Sequence, residues 1–134
     1  MTKKKLMSVA LCAAMVGCMV GTVNVHAEAD YSDVSVEIVS KGFQHQYWQA
    51  VLKGAQEEAD RLGVTMNFVG PNSESDIADQ VQMLNSAINA KPAAIGLAAL
   101  STDACNDALQ QAKDAGIPIV GFDSGVPGAP EGSV

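Results

Sequence analysis

Eight consecutive apolar residues, Ala93 to Leu100 (AAIGLAAL), stand between two segments that read as amphipathic helices. An apolar run without alternation is what a strand carries when both of its faces are covered. Such strands belong to parallel sheets, whose crossover helices pack above and below them. One buried strand of this kind commits the chain to an α/β architecture, because a parallel neighbour is reached only through a crossover.

The flanking sequence supplies the other parts. Val34 to Ser40 (VSVEIVS) alternates and breaks at Lys41-Gly42, and Val64 to Gly70 (VTMNFVG) is a second strand. Between them, Tyr47, Val51, Ala55, Ala59 and Leu62 recur at helical spacing and stop at Gly63. Ile77, Val81, Leu84 and Ile88 form the stripe of a second helix, with Ser73 or Ser75 as its cap and Lys91-Pro92 as its end. Ser101-Thr102-Asp103 opens a third helix carrying Ala104, Cys105, Ala108, Leu109, Ala112 and Ala115, and Ile117 to Phe122 (IPIVGF) is a fourth strand with Pro118 near its start. An internal echo supports the division. Ala59-x-x-x-Gly63-Val64 recurs as Ala112-x-x-x-Gly116-Ile117, both at helix-to-strand joints. The expected fold is a doubly wound parallel α/β sheet, Rossmann-like, in the order 2-1-3-4.

The N-terminal 27 residues are a separate object. Three of the chain's eight cations, Lys3, Lys4 and Lys5, lie there with no acid, and Leu6 to Val25 follows without a charge. This is the pattern of a secretory signal peptide, and Val25-His26-Ala27 places cleavage after Ala27. Met15-Val16-Gly17-Cys18 resembles the box at which bacterial lipoproteins are cut and acylated, so a lipid anchor at Cys18 is the alternative. Residues 28–134 are then the exported α/β lobe, periplasmic or otherwise extracytoplasmic. Either cleavage leaves Cys105 without a disulfide partner, and its place on a helical stripe makes it a small buried hydrophobe. The formal charge of −7, from 8 Lys plus Arg against 15 Asp plus Glu, excludes a nucleic-acid partner, which needs clustered cations.

In a sheet of this kind ligands bind beyond the carboxyl ends of the strands, near the point where the strand order reverses. The first strand delivers Lys41, His45, Tyr47 and Trp48 to that edge, the third delivers Asp103, and the fourth delivers Asp123 and Ser124. Hydroxyls need directional partners and the C–H face of a sugar ring packs on an aromatic, so this set suits a small sugar or polyol. Asp123 is the strongest candidate, because one carboxylate can accept from two hydroxyls. Each residue also has a plainer reading. Lys41 can be a solvated strand end, His45 a loop residue, Asp103 a helix cap, and one of Tyr47 and Trp48 a packing residue.

Chemistry beyond binding has little to stand on. No Cys or His cluster has metal-ligand spacing. G-x-G-x-x-G, the P-loop and the G-x-S-x-G elbow are all absent. The expectation is a protein that is not an enzyme and carries no metal and no cofactor.

Three stretches carry a resemblance. Val39-Ser40-Lys41-Gly42 with His45-Gln46-Tyr47-Trp48-Gln49-Ala50-Val51 and Gly54-Ala55 is the first. Gly70-Pro71-Asn72-Ser73-Glu74-Ser75-Asp76 with Gln80-Val81 is the second, and Ala112 to Gly125 is the third. In this order they resemble the start of the type I periplasmic sugar-binding proteins, the ribose-binding-like substrate receptors of ABC importers. The resemblance implies a two-lobe fold that closes on a sugar and hands it to a membrane permease. It implies that Tyr47 and Trp48 stack on the ring, that His45 is the polar residue before them, and that Asp123 binds hydroxyls. Ser124 stands where ribose-type members have Arg, and Lys41 is similar to members that bind other small polyols. By the same resemblance the chain is an N-terminal fragment, with one lobe incomplete and the second absent. A sensing module that feeds a membrane kinase or chemoreceptor shares every one of these features and is the alternative. A LacI-like repressor would need a helix-turn-helix where the export signal stands.

Overall fold

A computed structural model describes residues 30–126. The segment 1–27, expected to be a signal peptide, with Cys12 and Cys18, and the terminal stretch 127–134 lie outside the described residues. Seven elements alternate: β1 (Ser35–Val39), α1 (Gln46–Leu62), β2 (Thr65–Val69), α2 (Ile77–Asn89), β3 (Ala94–Leu97), α3 (Thr102–Asp114) and β4 (Ile119–Gly121). All pairings are parallel and the strand order is β2-β1-β3-β4, the order expected from the sequence.

Register decides which face each helix covers. Val39 pairs with Leu97 and Ile95 with Ile119, so these four side chains share one face. They form the core with Leu84, Ala87 and Ile88 of α2 and Cys105, Ala108, Leu109 and Ala112 of α3. Cys105 is fully buried, and burial raises its thiol pKa, so it serves as packing. The opposite face carries Ile38 and Gly96, with Phe122 beside them and the Trp48 ring of α1 edge-on to Phe122 at 6.3 Å. Helices on both faces make the sheet doubly wound.

The helix ends show how local sequence sets the joints. Gly63 and Gly116 both take left-handed backbone, at φ 72° and 68°. In each case the following residue donates back across the last turn, Val64 N–H to Ala59 O at 3.0 Å and Ile117 N–H to Ala112 O at 2.9 Å. This is the Schellman closure, and it explains the internal echo, since both joints need a small buried residue under the last turn and a Gly past it.

Three local expectations are corrected. The α2 cap position falls to Asp76, with no side-chain capping bond, while Ser73 Oγ accepts from the Ser75 N–H inside the preceding turn. Those serines satisfy their own loop first, as short hydroxyl side chains often do. Along α1 the buried position is Trp48 rather than Tyr47, which is 48% exposed, and Leu62 is exposed as well. The α3 cap is Ser101, whose Oγ accepts from the Ala104 N–H at 3.3 Å, so Asp103 lies within the first turn of that helix rather than at its cap.

Candidate functional site

At the carboxyl edge, β1 runs into Ser40-Lys41-Gly42. Ser40 is buried, and its hydroxyl donates to Gly42 O at 2.7 Å, which curls the chain into a tight loop. The Phe43 N–H donates to Pro71 O and ties that loop to the end of β2. Gly70 is obligatory at this crossing, because a Cβ there would meet Ser40 Oγ and Gly42 O. His45 then caps α1, its Nδ1 accepting from the Tyr47 N–H at 3.2 Å. The cap fixes the first turn, and with it the two aromatic residues.

Tyr47 and Trp48 divide their work. Their rings meet edge to face, with centroids 4.8 Å apart. Trp48 is 2% exposed, and its indole N–H donates to Glu74 Oε1 at 2.9 Å. That bond satisfies the one polar atom of an otherwise apolar ring. Tyr47 is exposed, and its hydroxyl donates to Asp123 Oδ1 at 3.0 Å.

Asp123 follows β4 and is held on three sides. Its Oδ2 lies 2.8 Å from Lys41 Nζ, in a pair whose side chains are 20% and 28% exposed. Its backbone has φ 59°, and the Ser124 N–H donates to Phe122 O at 2.6 Å, closing a three-residue turn with Asp123 at its tip. Left-handed backbone is rare for a residue with a side chain, and Asp is among the few that tolerate it. Ser124 Oγ in turn donates to Ala99 O at 3.1 Å, anchoring the turn to the end of β3. Lys41 and Tyr47 hold the Asp123 carboxyl pKa below its usual value, the Lys41 hydrogen bond first, while Asp123 raises that of the Tyr47 hydroxyl.

Six of the seven residues singled out in the sequence therefore gather around the loops after β1 and β4 and the first turn of α1. Lys41, Tyr47 and Asp123 are in direct contact, Ser124 braces the turn, His45 caps the helix that presents Tyr47, and Trp48 packs beneath. Asp103 does not join them. It is exposed in the first turn of α3 and has no side-chain hydrogen bond or ion pair among the described residues. Glu74 and Phe122, which hold Trp48, went unmarked in the sequence. An open cleft of about 410 Å³ adjoins the group, lined by Gly42, Phe43, Gln44, His45, Trp48, Asn72 and Glu74.

The chemistry of the set follows from its pairing. Lys41 and Asp123 cancel in charge, so this pair by itself presents no net ion to an approaching solute. Each Asp123 oxygen keeps a free lone pair and Lys41 keeps two N–H donors, so the pair can both accept from and donate to hydroxyl groups.

The fold and this edge define a doubly wound α/β lobe with its polar loops gathered at the strand ends. The chain belongs to the periplasmic binding protein domain family, whose signature matches residues 36–134. It is 29% identical over 109 residues to the D-allose-binding periplasmic protein of Escherichia coli strain K12, an alignment covering 81% of this chain and 33% of that one. A solved structure described as an ABC transporter, LacI family transcriptional regulator, from Brachyspira murdochii is 40% identical, with TM-score 0.68 over 75% of this chain and 33% of that one. A carbohydrate transporter solute-binding protein from Agrobacterium radiobacter, in complex with D-arabinose, is 33% identical, with TM-score 0.67 over 72% and 33% of the two chains. The chain thus spans about a third of the length of these relatives.

Proposed function

We propose that this chain is the sugar-binding lobe of an extracytoplasmic receptor for an ABC-type importer. It takes a small sugar or polyol at its carboxyl edge, against a second lobe, for delivery to a membrane permease. Residues 1–27 direct export, the protein carries out no catalysis, and Lys41, Tyr47 and Asp123 meet the ligand's hydroxyls. The observation that carries this reading is the Lys41–Asp123–Tyr47 contact, a charge-balanced donor and acceptor set at the end of a parallel sheet. The names of the relatives, which include a D-allose-binding protein and a carbohydrate receptor holding D-arabinose, support a sugar as the ligand class.

The test is calorimetric titration of the natural gene product that contains this chain with D-allose, D-arabinose and a panel of pentoses, hexoses and polyols. A dissociation constant in the micromolar range for one of them is expected. Asp123→Asn should weaken that sugar about tenfold to hundredfold, since a hydrogen bond to a charged group contributes about 1.5–3 kcal/mol. Absence of heat with every sugar at millimolar concentration would overturn the reading.

A further inference from the structure

Gln80 is a fully buried polar side chain on α2, and its side-chain hydrogen bonds among the described residues run to backbone just past the ends of β1 and β3. Its amide nitrogen donates to Ser40 O at 2.8 Å and to Ala98 O at 2.9 Å, and its amide oxygen accepts from the Leu100 N–H at 2.8 Å. Ser40 follows β1 directly, and Ala98 follows β3 directly. The last rung between these strands is the Ala98 N–H to Val39 O bond, and beyond it the two chains part. Two buried carbonyls and one part-buried N–H are left there without a strand partner, and each would be costly unpaired.

Only one type of side chain serves all three. A planar amide has two hydrogens on one nitrogen, so it can bridge two carbonyls at once and still offer an oxygen to an N–H. Lys and Arg cannot accept, an ionised Glu cannot donate, and an apolar residue does neither.

The place of this bridge gives it a consequence. In the order β2-β1-β3-β4, Lys41 at the end of β1 and Asp123 past β4 lie on either side of β3. Strands two apart are separated by about 9.5 Å, twice the usual spacing. The Lys41–Asp123 contact therefore passes over the end of β3 and depends on where that end lies relative to β1. Gln80 joins β1 to β3 from beneath, while Ser124 joins β4 to the same stretch of β3 through Ala99 O. We propose that Gln80 is a positioning residue of the carboxyl edge, bridging the ends of β1 and β3 so that Lys41 meets Asp123 across β3. Its importance for sugar binding rests on the function proposed above, whereas the contact it positions can be read without any ligand.

The experiment is a ¹³C NMR titration of the Asp123 carboxyl in the parent chain and in Gln80→Met, with urea unfolding of both. In the parent, Asp123 should titrate below the usual carboxylate range. In Gln80→Met the unfolding midpoint should fall, and Asp123 in the folded protein should shift up toward its ordinary value. A residue that only stabilises the fold would lower the unfolding midpoint and leave the Asp123 titration where it was, and that result would overturn the proposal. Should the Met variant not fold, Gln80→Glu gives the same reading, because it keeps the volume and the acceptor for Leu100. At the low pH where Asp123 titrates, the buried carboxyl of that variant is protonated, and its single O–H can serve only one of the two carbonyls, so the bridge is still cut. An Asp123 titration in folded Gln80→Glu that matches the parent would also overturn it. A chain that passes these tests, from a natural gene product that binds no sugar, would refute the transport reading alone.

Discussion

Asp123 draws its hydrogen bonds from two residues far away in the chain, and the sign of its pH dependence follows from them. Its folded pKa is lowered, by Lys41 first and then by Tyr47, so the folded protein holds the proton less tightly than the unfolded chain does. The stability this adds is present above the ordinary carboxyl value of about 3.9 and is lost as pH falls through the lowered one. The Tyr47 hydroxyl behaves in the opposite sense. Its pKa is raised chiefly by its bond to Asp123, so that contribution is present below about 10 and is lost as pH rises through the raised value. Lys41→Met removes the largest cause acting on Asp123 and the one charge that offsets the rise at Tyr47. Both groups should therefore move upward in this variant, Asp123 by carbon NMR titration and Tyr47 by ultraviolet titration. Unmoved values would mean that Lys41 does not pair in solution. Lys41, Tyr47 and Asp123 were legible in sequence because each stands just past a strand or opens a helix beside one. Glu74 was not, because it sits in a turn with no apolar rhythm and its partner Trp48 is 26 residues away.

At the scale of the element, the glycines separate two kinds of demand. Gly63 and Gly116 sit at positive φ with open space around a would-be Cβ, so only backbone conformation requires them. Gly54 lies inside α1, also with nothing near its would-be Cβ, and there the helix would prefer Ala. Gly116→Ala should lose about 1–2 kcal/mol, the cost of a left-handed L-residue. Gly54→Ala should gain about 0.5–1 kcal/mol, the difference in helix propensity between the two residues. Chemical denaturation reads both, and equal signs would contradict the assigned helix ends. These joints were readable because a Schellman closure leaves a local signature of small residue, spacer and Gly. The rotation of α1 was not. Tyr47 and Trp48 both continue a helical stripe, and the choice between them comes from Phe122 and Glu74, which the sheet brings in from elsewhere. The start of α2 was not readable for a similar reason, since Ser73, Ser75 and Asp76 offer caps of nearly equal merit.

Across the whole molecule the two faces of the sheet are unequally filled. One face carries the continuous core built from α2, α3 and alternate strand residues, while α1 alone contributes Trp48 and Ala59 to the buried set on its side. The order of the strands was legible because strand and helix alternation with right-handed crossovers leaves few topologies. Trp48 connects all the parts that matter at the edge. It belongs to α1, bonds Glu74 in the loop before α2, and touches Phe122 after β4. As the only Trp of the chain, it reports on all of them at once. If the lobe is one cooperative unit, the red shift of Trp48 emission in urea should coincide with the loss of far-ultraviolet circular dichroism. Leu97→Ala, at the centre of the other face and fully buried, should move both transitions together to lower urea, by an amount equal to about 2–5 kcal/mol. A Trp48 transition that stayed in place while the dichroism moved would show that the α1 face unfolds apart from the main core. The carboxyl edge would then be braced by local contacts rather than by the sheet as a whole.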